Sequence, residues 1–264
     1  MKGQHVLVLG LGASGLAMTR WCLRQGAQVT VADTRDEPPQ RAALPEGVRF
    51  KSGPFAASLV EADTICVLRS PGLAPATLQA VLQEAQRRNV RVCGELDLFT
   101  QALAELKEQR QYAPAVLAIT GTNGKTTVTS LTAHLVQRAG QSVTVAGNIG
   151  PTLLDTLHEK LQADALPQVW VLELSSFQLD AAHAFQARAA TVLNITQDHL
   201  DWHGDMAAYA AARRDAGEQV ISASQDAFGE NYAGVERMRS LYGVPEPEDP
   251  NAEASDSLAN PRRY

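Results

Sequence analysis

The sequence is poor in cysteine, aromatic residues and long apolar runs, and it has no excess of positive charge. Its 264 residues include 3 cysteines, and aromatic side chains make up 5% of the chain. An odd number of cysteines, each in an apolar stretch, excludes a disulfide framework or a zinc site and predicts reduced core thiols. With 23 Lys and Arg against 29 Asp and Glu, the net charge is -6, so we expect no nucleic-acid partner. No segment reaches the roughly 18 apolar residues of a membrane helix, so we expect no membrane insertion.

What the sequence contains is typical of α/β proteins. Apolar residues make up 45% and charged residues 20%, and the length predicts about two domains. Short β-branched and leucine-rich runs alternate with helix-like stretches, which predicts parallel sheets with crossover helices. The pattern restarts after Pro114, which breaks a charged helix. The expected strands are His5–Leu9, Gln28–Ala32, Thr64–Leu68, Val90–Cys93, Ala115–Thr120, Ser142–Ala146, Gln168–Leu174 and Ala190–Ile195; the expected helices are Gly15–Gln25, Thr77–Arg88, Leu96–Gln111, Lys125–Ala139 and one beginning at Tyr209.

A first glycine loop, Gly10-Leu-Gly-Ala-Ser-Gly15, lies between the first predicted strand and helix. These glycines permit a tight turn and close backbone approach to a phosphate, and the helix N-terminus attracts an anion. Asp33 follows the second strand, where its carboxylate can accept a hydrogen bond from a ribose hydroxyl. Thr34 and Arg35 extend this polar edge. Three interpretations stay open: a tight turn without ligand, an NAD or FAD site, or a loop that holds the diphosphate of another nucleotide. Arg35 pairs with a phosphate or a uracil edge, or it is a solvated surface arginine.

A second glycine loop, Ile119-Thr-Gly-Thr-Asn-Gly-Lys-Thr-Thr127, carries the strongest chemical signal. Successive backbone N–H groups can wrap a polyphosphate, the ammonium of Lys125 can reach the β and γ phosphates, and the Thr126 hydroxyl can bind Mg²⁺. The loop departs from the general G-x-x-x-x-G-K-[ST] pattern because Ile119 stands where that pattern has its first glycine. The alternative is an ordinary strand–helix turn. The residues expected to bind ATP are Gly121, Thr122, Asn123, Gly124, Lys125, Thr126 and Thr127.

Polar side chains follow three later strands of the second half. Glu173 ends an apolar strand, Asp198 and His199 lie at the tip of the next one, and Asn148 follows another. The carboxyl ends of strands in an α/β sheet meet in the crevice where ligands bind, and carboxylate oxygen is a ligand that Mg²⁺ prefers. Glu173 and His199 are therefore candidate metal ligands. The alternatives are a carboxylate at the surface edge and a histidine with a structural role.

Several motifs occur in an order that resembles one known family. They are Gly10-Leu-Gly-Ala-Ser-Gly15, Asp33-Thr-Arg35, Ser70-Pro-Gly72, Gly94-Glu-Leu-Asp-Leu-Phe99, Thr120-Gly-Thr-Asn-Gly-Lys-Thr126, Gly147-Asn-Ile-Gly150, Glu173-Leu-Ser-Ser-Phe-Gln-Leu179 and Asn194-Ile-Thr-Gln-Asp-His199. Together they resemble the Mur ligase family, the ATP-dependent amino-acid-adding ligases of peptidoglycan synthesis. The resemblance extends over residues 4–212 and is highly specific.

The resemblance implies an α/β fold with two tandem parallel-sheet domains, the first Rossmann-like and the second like a P-loop NTPase. It implies a cytoplasmic monomer with UDP-N-acetylmuramoyl-L-alanine and D-glutamate as substrates and with ATP and Mg²⁺ as cofactors. The substrate carboxylate would attack the γ-phosphate and form an acyl phosphate, from which the amine of D-glutamate would then displace phosphate through a tetrahedral intermediate. Lys125 and His199 would be catalytic, and Thr126, Glu173 and His199 would bind Mg²⁺. The implied substrate-binding residues are Ser14, Asp33, Thr34, Arg35, Ser70, Gly72, Asn148 and His199.

The resemblance stops at Arg213, which stands where the family carries a carbamylated lysine that helps to bind a second Mg²⁺. A guanidinium stays protonated and cannot take that role. From there on the family pattern disappears, as in a truncated or frameshifted gene product. We therefore expect a substrate domain over 1–98, an incomplete ATP domain over 112–215, a disordered tail over 216–264, and impaired activity. The alternative function is a non-catalytic module that binds a nucleotide or a UDP-sugar.

Overall fold

The computed structural model describes residues 1–182 and 185–193, and these residues form two β-sheets with helices between the strands. All strand pairs in both sheets are parallel, which confirms the predicted α/β class with two parallel-sheet domains. The first sheet contains β1 (His5–Leu9), β2 (Gln28–Asp33), β3 (Arg49–Ser52), β4 (Thr64–Arg69) and β5 (Arg91–Cys93), with helices α1 (Ala13–Arg24), α2 (Pro75–Arg87) and α3 (Glu95–Arg110). The second contains β6 (Ala115–Thr120), β7 (Val143–Gly147), β8 (Val169–Glu173) and β9 (Ala189–Val192), with α4 (Lys125–Arg138), α5 (Leu153–Gln162) and α6 (Ser176–Asp180).

The first sheet has the strand order β3-β2-β1-β4-β5, with β1 at its centre. Every residue of β1 is buried, as expected for a central parallel strand that is covered on both faces. The chain continues from β1 to β2 on one side and later reaches β4 on the other. The strand order therefore reverses beside β1, and a crevice opens at the carboxyl ends of these strands. The first glycine loop follows β1 at this crevice.

The second sheet has the order β7-β8-β6-β9, in which the first strand, β6, pairs with β8 and β9 while β7 lies at the edge. Every residue of β8 is buried, and β6 lies between β8 and β9. In the register of the sheet, Glu173 of β8 is the partner of Ile119 on one side and of Gly147 on the other. The carboxyl ends of three strands therefore reach the same edge, and the second glycine loop starts there.

The two sheets share one hydrophobic core through the helices that lie between them. Helices α1 and α3, which follow strands of the first sheet, contact α5 of the second half. Phe99 of α3 and Trp170 of β8 are fully buried and pack edge to face, with ring centroids 5.2 Å apart. The Arg20 guanidinium on α1 adds an ion pair to Asp155 on α5 at 3.3 Å. One continuous cluster of buried side chains thus includes residues from both sheets.

The predicted strands and helices of the described residues lie where the structure has them, and their ends differ by no more than two residues, except that β9 ends at Val192, before the predicted end. The predictions missed β3, α5 and α6. Strand β3 is a four-residue edge strand with two basic side chains, and its position depends on pairing with β2. The three cysteines are buried and free, as predicted. The predicted end of the last strand at Ile195, the helix at Tyr209 and the tail over 216–264 lie outside the described residues.

Candidate functional site

The second glycine loop connects β6 to α4 through backbone conformations that favour glycine. Gly121 and Gly124 both have positive φ, at 148° and 82°, and Gly124 is the N-cap of α4. A glycine at this cap has no side chain that could accept a hydrogen bond from the N–H groups of the first helical turn. The positive end of α4 therefore faces the loop. Thr122 and Asn123 complete the loop, and Thr127 is exposed in the first turn of α4. Such a loop at a helix start can accept an anion.

The ammonium of Lys125 lies over this loop. Its Nζ donates hydrogen bonds to the carbonyl oxygens of Gly121, at 2.8 Å, and Thr122, at 3.0 Å. These two bonds hold the positive charge beside the loop backbone, where bound phosphates would lie. A phosphate oxygen is a stronger, charged acceptor than a carbonyl, so the ammonium can exchange one of these partners for a ligand.

Glu173 connects the second glycine loop to the loop after β7. Its carboxylate is 1% exposed; Oε2 accepts a hydrogen bond from the Thr126 hydroxyl at 2.9 Å, and Oε1 accepts one from the Asn148 amide at 3.0 Å. The structure therefore brings together three side chains that the sequence analysis placed in one site. Their meeting follows from the sheet register, because β6, β7 and β8 end at the same edge.

Gly147 permits the close approach of these two strand ends. Its φ is 120°, and a Cβ atom at this position would lie 2.2 Å from the carbonyl oxygen of Glu173. That same carbonyl accepts a hydrogen bond from the backbone N–H of Asn148 at 2.8 Å. A larger residue at 147 would separate β7 from β8 and move Asn148 away from Glu173.

The oxygen atoms of Thr126 and Glu173 fit an Mg²⁺ ion. Hard oxygen ligands at neighbouring corners of a magnesium octahedron, each about 2.1 Å from the ion, lie about 3 Å apart. The Thr126 Oγ1 and Glu173 Oε2 atoms have this spacing, at 2.9 Å, and both lie beside the Lys125 loop. His199, the third predicted ligand, lies outside the described residues, as do Asp198 and Arg213.

The first glycine loop is closed by contacts that require glycine at its two ends. Gly10 has a φ of 84°, and its carbonyl oxygen accepts a hydrogen bond from the Ser70 hydroxyl at 2.9 Å. A Cβ atom at Gly15 would lie 1.9 Å from that same carbonyl oxygen. The start of α1 thus packs directly against the end of β1. Gly72, also predicted for the substrate site, is exposed just after Ser70.

Asp33 fixes this loop from the end of β2. Its buried carboxylate accepts hydrogen bonds from the backbone N–H of Leu11 at 2.8 Å and from the Arg35 side chain at 2.8 Å and 3.0 Å. Burial alone would raise the pKa of Asp33, but the hydrogen bonds from Arg35 and Leu11 outweigh it and lower the pKa. Oδ2 accepts from Leu11 of the loop and both oxygens accept from Arg35, so Asp33 orders the loop besides any contact with a ribose. Thr34 and the Arg35 side chain are exposed at the same rim.

Glu95 was not predicted as a site residue, and its carboxyl group is buried between the two halves. It is 3% exposed at the start of α3, and it accepts hydrogen bonds from the backbone N–H groups of Leu153 and Leu154, the latter at 3.1 Å, and from the Ser14 hydroxyl. Burial raises the pKa of Glu95 to about 7 despite these bonds, and the nearby Asp155 carboxylate contributes to the rise. The sequence did offer one signal for this role, an acidic residue at the start of a helix beside the apolar Leu96.

We expect stability to depend on pH through Glu95. Its pKa is raised from the ordinary 4.5 to about 7, so this group stabilises the fold fully below pH 4.5 and loses that contribution as the pH rises through 7. The difference corresponds to on the order of 3 kcal/mol. Glu95→Gln imitates the protonated acid, so urea unfolding should show its stability relative to wild type rising between pH 5 and pH 8. His5, whose pKa is lowered mainly by burial, is present in both proteins, so its contribution cancels when the two free energies of unfolding are subtracted.

Glu108→Gln, an exposed change on the same helix, serves as the control and should give a flat difference curve. A flat curve for Glu95→Gln would contradict the raised pKa.

One other group of potential metal ligands occurs among the described residues, His5 with Glu61 and Asp63. Both ring nitrogens of His5 already contact hydroxyl groups, those of Thr64 at 2.9 Å and Thr30 at 2.8 Å, and Glu61 pairs with Lys51. This group is therefore a satisfied part of the structure. No described helix combines the length and the hydropathy that crossing a membrane requires.

Comparison with known families gives two matches along the chain. A model described as "Mur ligase MurD-like, N-terminal domain" matches residues 4–94, and one described as "Mur ligase middle domain" matches residues 119–222. The first match contains the loop of Gly10–Gly15, and the second contains the Lys125 loop, Asn148 and Glu173.

Similar curated proteins carry the name UDP-N-acetylmuramoylalanine--D-glutamate ligase. The protein of Albidiferax ferrireducens is 61% identical over 217 residues, which cover 81% of this chain and 43% of that protein. The protein of Ralstonia nicotianae is 55% identical over 261 residues, 96% of this chain and 52% of that protein. The chain thus spans about half the length of these curated relatives.

Among solved structures, a UDP-N-acetylmuramate:L-alanyl-gamma-D-glutamyl-meso-diaminopimelate ligase from Neisseria meningitides aligns with a TM-score of 0.49 and 16% identity, over 83% of this chain and 68% of that chain.

Proposed function

Because the chain belongs to the Mur ligase family through its N-terminal and middle domains, we propose that it binds UDP-N-acetylmuramoyl-L-alanine at the first glycine loop and Mg-ATP at the second. The observation that carries the proposal is the hydrogen-bonded group of Thr126, Glu173 and Asn148 beside the Lys125 ammonium. A tight turn without a ligand would give no reason for a buried carboxylate between these two loops. The substrate assignment rests on the names of the relatives.

The proposed reaction is the ATP-dependent addition of D-glutamate in peptidoglycan synthesis, in the cytoplasm and by a monomer. Lys125 would hold the β and γ phosphates and offset the negative charge that spreads over the transferred group. Ser14, Asp33, Thr34, Arg35, Ser70 and Gly72 would hold the UDP part, and Asn148 and His199 would lie near the acceptor carboxylate. Thr126, Glu173 and His199 would bind Mg²⁺, which supplies further charge neutralisation when it is present.

The proposed function predicts a specific loss of Mg-ATP binding in two variants. Lys125→Met removes a charge-assisted contact to phosphate, and Glu173→Gln removes the anionic metal ligand while it keeps the shape of the side chain. Contacts to charged groups contribute about 1.5–3 kcal/mol, so we expect affinity to fall about tenfold or more. Isothermal titration with Mg-ATP measures this, and the Glu173 variant should also lose the dependence on Mg²⁺.

Lys107→Met and Glu159→Gln, exposed changes of the same chemistry away from the loops, should keep wild-type affinity. Equal affinities in all five proteins would contradict the ATP site. Thermal shifts with UDP, NAD and Mg-ATP separate the ligase from a non-catalytic module, since a module that binds NAD should respond to NAD alone.

We also propose that turnover by this chain is impaired, because Arg213 stands where the family resemblance implies a carbamylated lysine. A protonated guanidinium would place positive charge where an anion is needed. The expected result is binding of Mg-ATP without D-glutamate-dependent phosphate release. Robust phosphate release by the wild-type chain would show that the impairment proposal is wrong, while it would leave the ligase assignment intact.

A further inference from the structure

The start of α5 is capped from outside its own segment. Thr152 occupies the N-cap position, but its side chain makes no capping hydrogen bond, and its hydroxyl is buried without a hydrogen-bond partner among the described residues. The free N–H groups of the first turn instead donate to the carboxylate of Glu95, which comes from α3. Helix starts normally receive this acceptor from the N-cap residue itself. An acid from the other half of the protein therefore fixes the start of α5.

The same carboxylate also fixes the first glycine loop. The Ser14 hydroxyl, in the first turn of α1, donates to Glu95, and this serine belongs to the Gly10–Gly15 loop. We call the hydrogen bonds of Glu95 to Ser14, Leu153 and Leu154 the Glu95 bridge. A second contact runs parallel to it, because Arg20 and Arg24 on α1 both pair with Asp155 in the first turn of α5.

On its other side, the bridge is close in sequence to the second site. Leu153 follows the turn 147–150, whose Asn148 donates its amide to Glu173, and Glu173 accepts from Thr126 in the ATP loop. The turn has little freedom to move independently, since the Gly147 N–H donates to the carbonyl of Pro151 and the Gly150 N–H donates to that of Gly147. A displacement of the α5 start would therefore be passed to Asn148 and then to the Glu173 carboxylate.

We propose that Glu95 is a positioning residue that couples the two ligand sites: its bridge holds the first glycine loop and the Asn148 turn in one arrangement. The inference rests on the proposed function, because it needs a ligand at each glycine loop. Ordering of one loop by its ligand would order the α5 start through the bridge, and the second ligand would then meet a site already in place. Because such coupling is reciprocal, each ligand should raise the affinity for the other by the same factor.

Titration calorimetry of the full chain tests this coupling. The affinity for UDP-N-acetylmuramoyl-L-alanine is measured with and without saturating Mg²⁺ and a non-hydrolysable ATP analogue. For wild type we expect an increase of about fivefold or more, as is typical of coupled sites. For Glu95→Ala we expect the factor to fall close to one. Glu95→Gln keeps the side-chain volume if the alanine variant fails to fold. At pH 8, where the wild-type group is mostly a carboxylate that accepts at both oxygens, the factor of this variant should also fall, because its amide nitrogen accepts no hydrogen bond. The exposed change Glu108→Gln should keep the wild-type factor.

Hydrogen exchange without ligands provides a second, independent readout. Glu95→Ala should speed exchange at the amides of Leu153 and Leu154 and, across the bridge, at residues 10–15. If Glu95 only capped α5, the variant would speed exchange at Leu153 and Leu154 and leave exchange at residues 10–15 unchanged. The proposal is overturned if the coupling factor of wild type is one, or if Glu95→Ala and Glu95→Gln keep it. A wild-type chain that binds neither ligand would refute the proposed function and the coupling with it, and the exchange at residues 10–15 would still decide whether the bridge exists.

Discussion

Gly15→Ala is expected to destabilise the chain by about 3 kcal/mol and to abolish binding at the first glycine loop. The added methyl group would lie 1.9 Å from the carbonyl oxygen of Gly10 and 2.9 Å from the Ser70 hydroxyl, and the backbone atom cannot move without separating β1 from α1. The start of the helix must therefore shift. Because Ser14 precedes the changed residue and donates to Glu95, that shift also breaks a contact between the two halves.

Gly12→Ala is the matched control for this experiment. It lies in the same loop at a φ of -91°, and a Cβ atom there would meet nothing within 4 Å. We expect its stability to stay within about 1 kcal/mol of wild type. Urea unfolding followed by circular dichroism measures both variants, and titration with UDP measures the site. Equal stability and equal UDP affinity of the two variants would show that close packing at Gly15 is not required.

The second large effect is expected for Trp170→Ala. The indole is fully buried, packs edge to face on Phe99, and donates its Nε1–H to the Tyr112 hydroxyl at 2.8 Å, which in turn donates to the carbonyl of Pro167. Truncation of a buried tryptophan costs about 3–5 kcal/mol, and here it also removes a hydrogen-bond donor. Since small domains are stable by about 5–15 kcal/mol, this single change should bring the chain close to unfolding.

Two further variants calibrate this result. Trp170→Phe keeps an aromatic ring against Phe99 but loses the N–H donor, so it should cost about half as much as the alanine variant. Leu135→Ala truncates a leucine that is 56% exposed on α4 and should stay within about 0.5 kcal/mol of wild type. Denaturant unfolding gives all three values. A cost below about 1 kcal/mol for Trp170→Ala would contradict a core shared by the two sheets.

Burial on both faces made some elements easy to predict, and dependence on a neighbouring strand made β3 hard to predict. Strands β1 and β8 are continuous apolar runs because both of their faces are covered, so their pattern is visible without the fold. Strand β3 has an exposed first residue and a polar composition, and only pairing with β2 makes it a strand. Helix α5 carried a readable signal in Leu153, Leu154 and Leu157, all buried, directly after a Gly-Pro turn.

The candidate sites divide in the same way. Thr126, Asn148 and Glu173 could be placed together because each follows the carboxyl end of a parallel strand, and such ends meet. The bidentate pairing of Arg35 with Asp33 could not be foreseen, since the exposed rim also offered this arginine to a ligand. Glu95 was not recognisable as a bridge because its partners Ser14 and Leu154 come from two other segments. Contacts that join three distant segments have no local pattern in a sequence.

The core that both sheets share also limits how the chain can be divided. A cut between α3 and β6, at Pro114, would look natural because no regular element crosses it. Such a cut would leave Phe99 and Leu106 on one fragment without their cover, and Trp170 and Leu154 on the other. Each fragment would then present an apolar face whose complement is the other fragment. Separately expressed halves should consequently recombine when mixed and should precipitate when kept apart.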